Sequence, residues 1–178
     1  MILYFFDTRC KNSNETDKLI LKSTLMYAKE KGIHVSDNLP TVVRSQRGKP
    51  YIEGLPLHVS VAHTDNVVIV GVSQMNFGID CERRTRKITN MKAFVRRRFT
   101  EEEQSYVAVS EEGAAERFIE VWVKKEAYVK YLGSGLADLS CAETEKFAEN
   151  FFITERNGII ICVYTPYKPE SIGTVVIK

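Results

Sequence analysis

The chain has 178 residues, 44% of them apolar and 27% charged, with a net charge of +2, a balance that fits a soluble globular protein large enough to bury a core. No apolar run approaches the roughly 20 residues that a membrane-spanning helix needs, and the opening MILYFF is too short, and lacks the basic start, of a secretory signal. Four cysteines, Cys10, Cys81, Cys141 and Cys162, are widely spaced without a CxxC pair, which argues against a zinc site or a disulfide framework and fits a reduced cytoplasm.

Ile2 to Phe6 is a short aromatic and β-branched run that predicts a strand. A helix follows, with Ser13 and Asn14 as cap candidates, apolar residues at Leu19, Ile20, Leu25, Met26 and Ala28, and Gly32 as its stop. From Val35 to Pro56 the glycines and prolines of RGKPYIEGLP predict a loop-rich segment, in which Lys49 sits on a stiff turn and reads as an ordinary surface lysine. LHVSVAH then alternates Leu57, Val59 and Val61 with His58, Ser60 and Ala62, so one face of this strand carries a hydroxyl and ends near His63 and Thr64. A lone histidine at a strand end is more often structural than functional. Asp65-Asn66 is a turn, and VVIVGV returns as a buried strand.

FGIDCE comes next. Period two places Phe77, Ile79 and Cys81 on the core face and Gly78, Asp80 and Glu82 on the other. Residues i and i+2 stand about 7 Å apart along a strand, so Asp80 and Glu82 can reach one cation between them and repel each other without one. Between Arg83 and Arg98 lie eight basic residues and no acid. Thr100 then caps a helix whose first turn holds Glu101, Glu102 and Glu103, as the helix dipole favours.

The stretch from Arg117 to Leu136 predicts a long helix with Gly133 and Gly135 as its left-handed end. At 100° per residue, Phe118, Ile119, Val121, Trp122, Val123, Val129 and Leu132 form one apolar arc, opposite Arg117, Glu120, Lys124 and Tyr131. Lys125, Glu126 and Lys130 fall inside that arc, and charges on a buried face demand partners. A helical ion pair between Glu126 and Lys130, four residues apart, would be sufficient for the helix alone; the two carboxylates of FGIDCE are what argue for more. The remainder, FFIT, IIICVY and TVVIK, reads as antiparallel strands with Asn157-Gly158 as a hairpin turn. The expected fold class is α+β, in two halves of related layout, residues 1–82 and 83–178, within one compact unit.

In order and spacing, RGKPY (Arg47 to Tyr51), HVSVAHT (His58 to Thr64), FGIDCE (Phe77 to Glu82), RRFTEEE (Arg97 to Glu103) and WVKKEAYVKYLGSGL (Trp122 to Leu136) resemble the 4′-phosphopantetheinyl transferase superfamily, specifically the surfactin-synthetase-activating type with two pseudo-symmetric halves in one chain. GKP alone signals little; GIDxE followed some 40 residues later by WxxKEAxxKxxGxGL is highly specific. The resemblance covers about half the chain. It implies an active site between the halves and Mg²⁺-dependent transfer of 4′-phosphopantetheine from coenzyme A, the co-substrate, to a serine of an acidic acyl or peptidyl carrier protein of fatty acid, polyketide or nonribosomal peptide synthesis. Adenosine 3′,5′-bisphosphate would be released.

The resemblance also assigns residues. Asp80, Glu82 and Glu126 would bind Mg²⁺, a hard oxygen set that suits it. Lys125 and Lys130 would neutralise the pyrophosphate, and Glu126, directly or through water, would take the serine proton. Lys49, Pro50, Ser60 and His63 match positions that contact the nucleotide and its 3′-phosphate, with Thr64 offering a further hydroxyl. The chain departs from the family at Ala62, where serine is common, and at Cys81, where an aliphatic residue is usual. Its amino-terminal half is short and without an arginine-rich helix, for which Lys18, Lys22 and Arg44 are the only substitutes. Another Mg²⁺-dependent phosphoryl or nucleotidyl transferase lacks its motifs here. A nucleic-acid binder would need stacking aromatics, and Phe94 and Phe99 are the only rings in the basic run. A degenerate, non-catalytic homologue fits poorly with three intact carboxylates. The expected protein is a cytoplasmic monomer with no nucleic-acid or membrane partner.

Overall fold

The computed structural model describes residues 1–10, 12–169 and 171–177, leaving aside the side chains of Leu136, Ala137 and Cys141. The order is β1 (Ile2–Asp7), α1 (Ser13–Glu30), β2 (Thr41–Arg44), β3 (Pro50–Glu53), β4 (His58–Thr64), β5 (Val67–Ser73), β6 (Gly78–Arg83), α2 (Met91–Arg98), α3 (Glu101–Ala108), α4 (Ala114–Leu132), β7 (Phe151–Arg156), β8 (Ile159–Tyr164) and β9 (Gly173–Ile177). This is a mixed α+β fold. One sheet runs β4-β5-β1-β9, a second runs β6-β8-β7, and β2 pairs with β3 as a separate hairpin. No helix among the described residues is long and apolar enough to cross a membrane.

The layers follow from alternation along the strands. In β1, Ile2, Tyr4 and Phe6 pack with Ile20, Tyr27 and Ala28 of α1. Its other residues, Leu3 and Phe5, meet Ile79, Cys81, Ile159, Ile161 and Val163 of the second sheet. On the far side of that sheet, Ile160, Cys162 and Tyr164 pack with Phe118, Ile119, Val121 and Ala127 of α4. The stack is therefore helix, sheet, sheet, helices. All of β6 from Gly78 to Glu82 is buried, with its polar face against α4 rather than water.

Several local expectations need correction. The α1 cap is Asn12, whose side chain accepts from the Glu15 N–H, not Ser13 or Asn14, and Leu25 is exposed while Ser23, Thr24 and Tyr27 take the buried face. The segment read as loop contains the β2–β3 hairpin, whose register pairs Val42 with Ile52. Within the basic run, Met91–Arg98 forms α2. Leu132, placed on the buried arc, is half exposed. The β7–β8 hairpin turns at Asn157 and Gly158, both with positive φ. The last strand, however, does not join that sheet: β9 pairs parallel with β1, Ile2 opposite Gly173. Cys10, Cys81 and Cys162 are free thiols; the side chain of Cys141 lies outside the described residues, as does Lys178 at the end of the TVVIK run.

Candidate active site

The edge strands of the two sheets, β4 and β6, meet beside α4, and a cleft of about 580 Å³ opens there. Close approach is what makes it. Gly78 lies directly against the helix backbone, where an added Cβ would stand 2.0 Å from the Ala127 carbonyl oxygen and 2.4 Å from the Tyr131 nitrogen. With no side chain at Gly78 and a methyl at Ala127, α4 settles onto β6. Its residues Glu126 and Lys130 then face the same cleft as Asp80 and Glu82.

Lys130 crosses to β6. Its ammonium sits 2.7 Å from Asp80 Oδ1, so the within-helix pair with Glu126 is not the one formed. Burial works against the Lys130 charge, but Asp80 outweighs it and holds the pKa above the ordinary lysine value. The Asp80 carboxyl is itself raised, chiefly by burial, with Lys130 opposing. Glu82 accepts from Thr64 Oγ1 at 2.6 Å and from the Arg83 N–H at 2.8 Å, and its other oxygen pairs with Arg86.

Glu126 differs from both. It is 9% exposed, and no hydrogen bond or ion pair to its carboxylate occurs among the described residues. Burial first, and the Asp80 charge second, push its pKa up to about 7, against the pull of Lys130. A buried carboxylate without a partner is costly, and a divalent cation is one way to relieve it. The donor set, three carboxylates without histidine or thiolate, fits a hard cation. All three carboxylates face the one cleft, and as the side chains stand no group of three or more His, Cys, Asp or Glu among the described residues is placed to hold a metal ion. Lys130 and Arg86 stand on the Asp80 and Glu82 oxygens instead.

Other expected site residues divide into two groups. Lys49, Pro50, Ser60 and His63 line the cleft with Arg44 and Arg47. Lys49 is no surface lysine: its ammonium donates to the Tyr131 carbonyl at 2.6 Å and to Asn76 Oδ1 at 3.0 Å, and burial lowers its pKa to about 8. Its stem runs over Gly133, the left-handed C-cap of α4, so it caps the carbonyl end of that helix. Arg44 is paired with Asp17 at 2.5 Å, and Lys22 lies over the Phe6 ring. Ser60 and Thr64 are buried and engaged between the sheets. Ser60 Oγ accepts from the Ile79 N–H at 3.0 Å, satisfying an edge group of β6, and Thr64 spends its hydroxyl proton on Glu82. Thr64 therefore positions a carboxylate and is not free to donate to a phosphate. Ala62 packs in the core between the sheets and takes no part in the cleft wall.

Lys125 is the clearest departure. It is fully buried away from the cleft, with its ammonium 3.0 and 2.7 Å from the two oxygens of Glu103 and bonded to the Ala142 carbonyl. It has no geometry for touching a ligand in the cleft. Glu103, read from sequence as one of three dipole-compensating acids, is 1% exposed while Glu101 and Glu102 face solvent. The signal was available, because Glu103 sits at the third helical position after Thr100. The reciprocal capping box that results, Glu103 N–H to Thr100 Oγ1 and Thr100 N–H to Glu103 Oε2, turns that carboxylate inward.

A family model described as the 4′-phosphopantetheinyl transferase superfamily matches residues 76–169, a span that contains β6, α4 and the carboxylates between them. The 4′-phosphopantetheinyl transferase gsp of Aneurinibacillus migulanus is 27% identical over 132 residues, which cover 72% of this chain and 49% of that protein. The chain spans about half the length of this curated relative.

Proposed function

Because the chain belongs to the 4′-phosphopantetheinyl transferase superfamily, we propose that it transfers the 4′-phosphopantetheine group of coenzyme A to a serine of an acyl or peptidyl carrier protein. The surfactin-synthetase-activating type, with one chain supplying both halves, is the form this reading takes. The observation that carries it is Glu126: a buried, unpartnered carboxylate poised near neutrality, on the cleft wall shared with Asp80, Glu82 and Lys130.

Transfer breaks the bond between the β-phosphorus and the oxygen bridging to the α-phosphate, and makes one to the serine oxygen. The serine must lose its proton, and adenosine 3′,5′-bisphosphate leaves with the added charge. Ionised Glu126 is matched to take that proton, since a base with its pKa near the working pH is both available and effective. Lys130 and Lys49 meet the charge of the pyrophosphate and the leaving group. His63, exposed at the rim, offers an N–H to a peripheral phosphate. Ser60, through Ile79, and Thr64, through Glu82, hold β6 in register with β4. Mg²⁺ would be held by Asp80, Glu126 and Glu82, and when bound it would neutralise charge on the pyrophosphate oxygens. The test is direct. The protein is incubated with coenzyme A, Mg²⁺ and a panel of apo carrier proteins, and each carrier is weighed by mass spectrometry. A phosphopantetheine mass gain, lost in Glu126→Gln, is the expected result. No gain on any carrier, with coenzyme A still bound, would overturn the reading.

A further inference from the structure

Three segments distant in sequence meet at one fully buried charge cluster. Glu103, from the first turn of α3, receives Lys125 on both oxygens, the Thr100 N–H on Oε2, and the Thr144 N–H and hydroxyl on Oε1, at 3.2 and 2.8 Å. Lys125 also donates to the Ala142 carbonyl and lies 5.7 Å from the centre of the Phe99 ring. These partners account for both carboxylate oxygens and bind the ammonium on several sides, which is the condition under which a buried pair is tolerated.

Tolerated is not the same as stabilising. Two charges removed from water gain little over a well-packed apolar pair of the same volume, while either charge left alone is heavily penalised. What such a pair does uniquely is fix geometry, because only one arrangement satisfies every donor. Here that geometry belongs to α4. Lys125 immediately precedes Glu126, so the rotation that sends Lys125 toward α3 turns Glu126 and, one turn on, Lys130 toward β6. Ala142 and Thr144 belong to the segment that leaves α4 through Gly133 and Gly135, both on the cleft wall. Leu139 and Ala142 of that segment pack against Val129.

We propose that the Lys125–Glu103 pair is a positioning device for the cleft: it locks the rotation of α4, and thereby the direction of Glu126 and Lys130, without touching substrate. The inference rests on the transferase reading and adds a role for two residues on which that reading does not depend. A simple packing role predicts that activity follows stability; a positioning role predicts that the two separate.

The test is a cycle of Lys125→Met, Glu103→Leu and the double variant, with thermal melting and steady-state transfer measured on each, and Lys125→Arg as the conservative control. Each single variant should melt about 10 °C lower, since it strands one buried charge. The double variant should return to within a few degrees of the unaltered protein. Its kcat should nevertheless stay at least tenfold down with KM for coenzyme A within twofold, and Lys125→Arg should recover part of the rate. A double variant with both normal melting and normal kcat would overturn the proposal. So would Lys125→Met raising KM for coenzyme A while Glu103→Leu does not, which is the pattern of a phosphate ligand. Should the double variant fail to fold, Thr144→Val decides: it keeps both charges but removes the loop hydroxyl that donates to Glu103, and kcat down about threefold at unchanged KM is expected, an unchanged kcat being the contrary result. If the unaltered chain transfers nothing to any carrier, the transferase reading fails first, an outcome separate from an active chain whose double variant is equally active.

Discussion

Glu126 spends a good deal of folding free energy on being a carboxylate at neutral pH. Its folded pKa of about 7 lies above the ordinary glutamate value, so the folded state binds more protons than the unfolded one between about pH 4.5 and 7. The contribution is therefore fully present below the unfolded pKa and is lost as pH rises through 7. In metal-free buffer, Glu126→Gln should gain on the order of 3 kcal/mol relative to the unaltered protein on going from pH 4.5 to pH 8, as read from urea melts at both pH values; a constant difference would mean that the carboxylate is solvated after all. Lys49 has the opposite problem. With its pKa lowered to about 8 by burial, it is largely neutral at pH 8.5, and a polyanion bound beside it must restore the charge. Coenzyme A binding at that pH should take up a fraction of a proton, measured by calorimetry in buffers of different ionisation enthalpy. Lys49→Arg, which stays charged, should abolish the uptake. Equal uptake in the variant would assign the proton to another group.

At the scale of elements, the contact between β6 and α4 rests on the absence of one carbon atom. Gly78→Ala places a methyl inside the Ala127 carbonyl, and neither a strand pinned to β8 nor a helix packed on three sides can retreat cheaply. A loss of about 3 kcal/mol or more is expected, larger than ordinary overpacking because the obstacle is backbone. Denaturation midpoints would check it, and a variant as stable as the unaltered chain would mean that the two elements are not in backbone contact. The sequence signalled α4 and the two faces of β6 plainly, because long apolar arcs and strict alternation survive any tertiary context. It signalled the Asn157-Gly158 hairpin for the same local reason, a turn that needs positive φ. The β2–β3 hairpin was illegible, since TVVR and PYIE are four residues each and mostly exposed. Helix α2 was hidden because its eight residues end in three arginines and its Asn90 cap makes no side-chain bond. The destination of Lys125 was illegible too: its partner lies 22 residues away on another helix, and position on an arc cannot say which neighbour a charge will meet.

For the molecule as a whole, charge is distributed less evenly than +2 suggests. Of the eight basic residues from Arg83 to Arg98, three are already engaged: Arg83 with Asp65, Arg84 with Glu116 and Glu155, and Arg86 with Glu82. Lys87, Lys92, Arg96, Arg97 and Arg98 have no ion pair among the described residues. They lie on or just before α2, in the segment that follows Glu82 at the cleft. On the transferase reading, such a patch would attract an acidic carrier protein without contributing to nucleotide binding. Arg96→Glu with Arg97→Glu should raise KM for the carrier several-fold and flatten the salt dependence of its association, leaving KM for coenzyme A unchanged. Normal carrier kinetics at low salt would make the patch plain surface.

The parallel pairing of β9 with β1 closes a circuit in time as well as in space. Some 165 residues are synthesised between β1 and β9, so the first sheet waits for β9 before its β1 edge is covered. Contacts of such long sequence separation slow the search for the native state, and they leave β1, apolar on both faces, as an open edge while it lasts. The strands β1 and β9 therefore mature together rather than in order of synthesis.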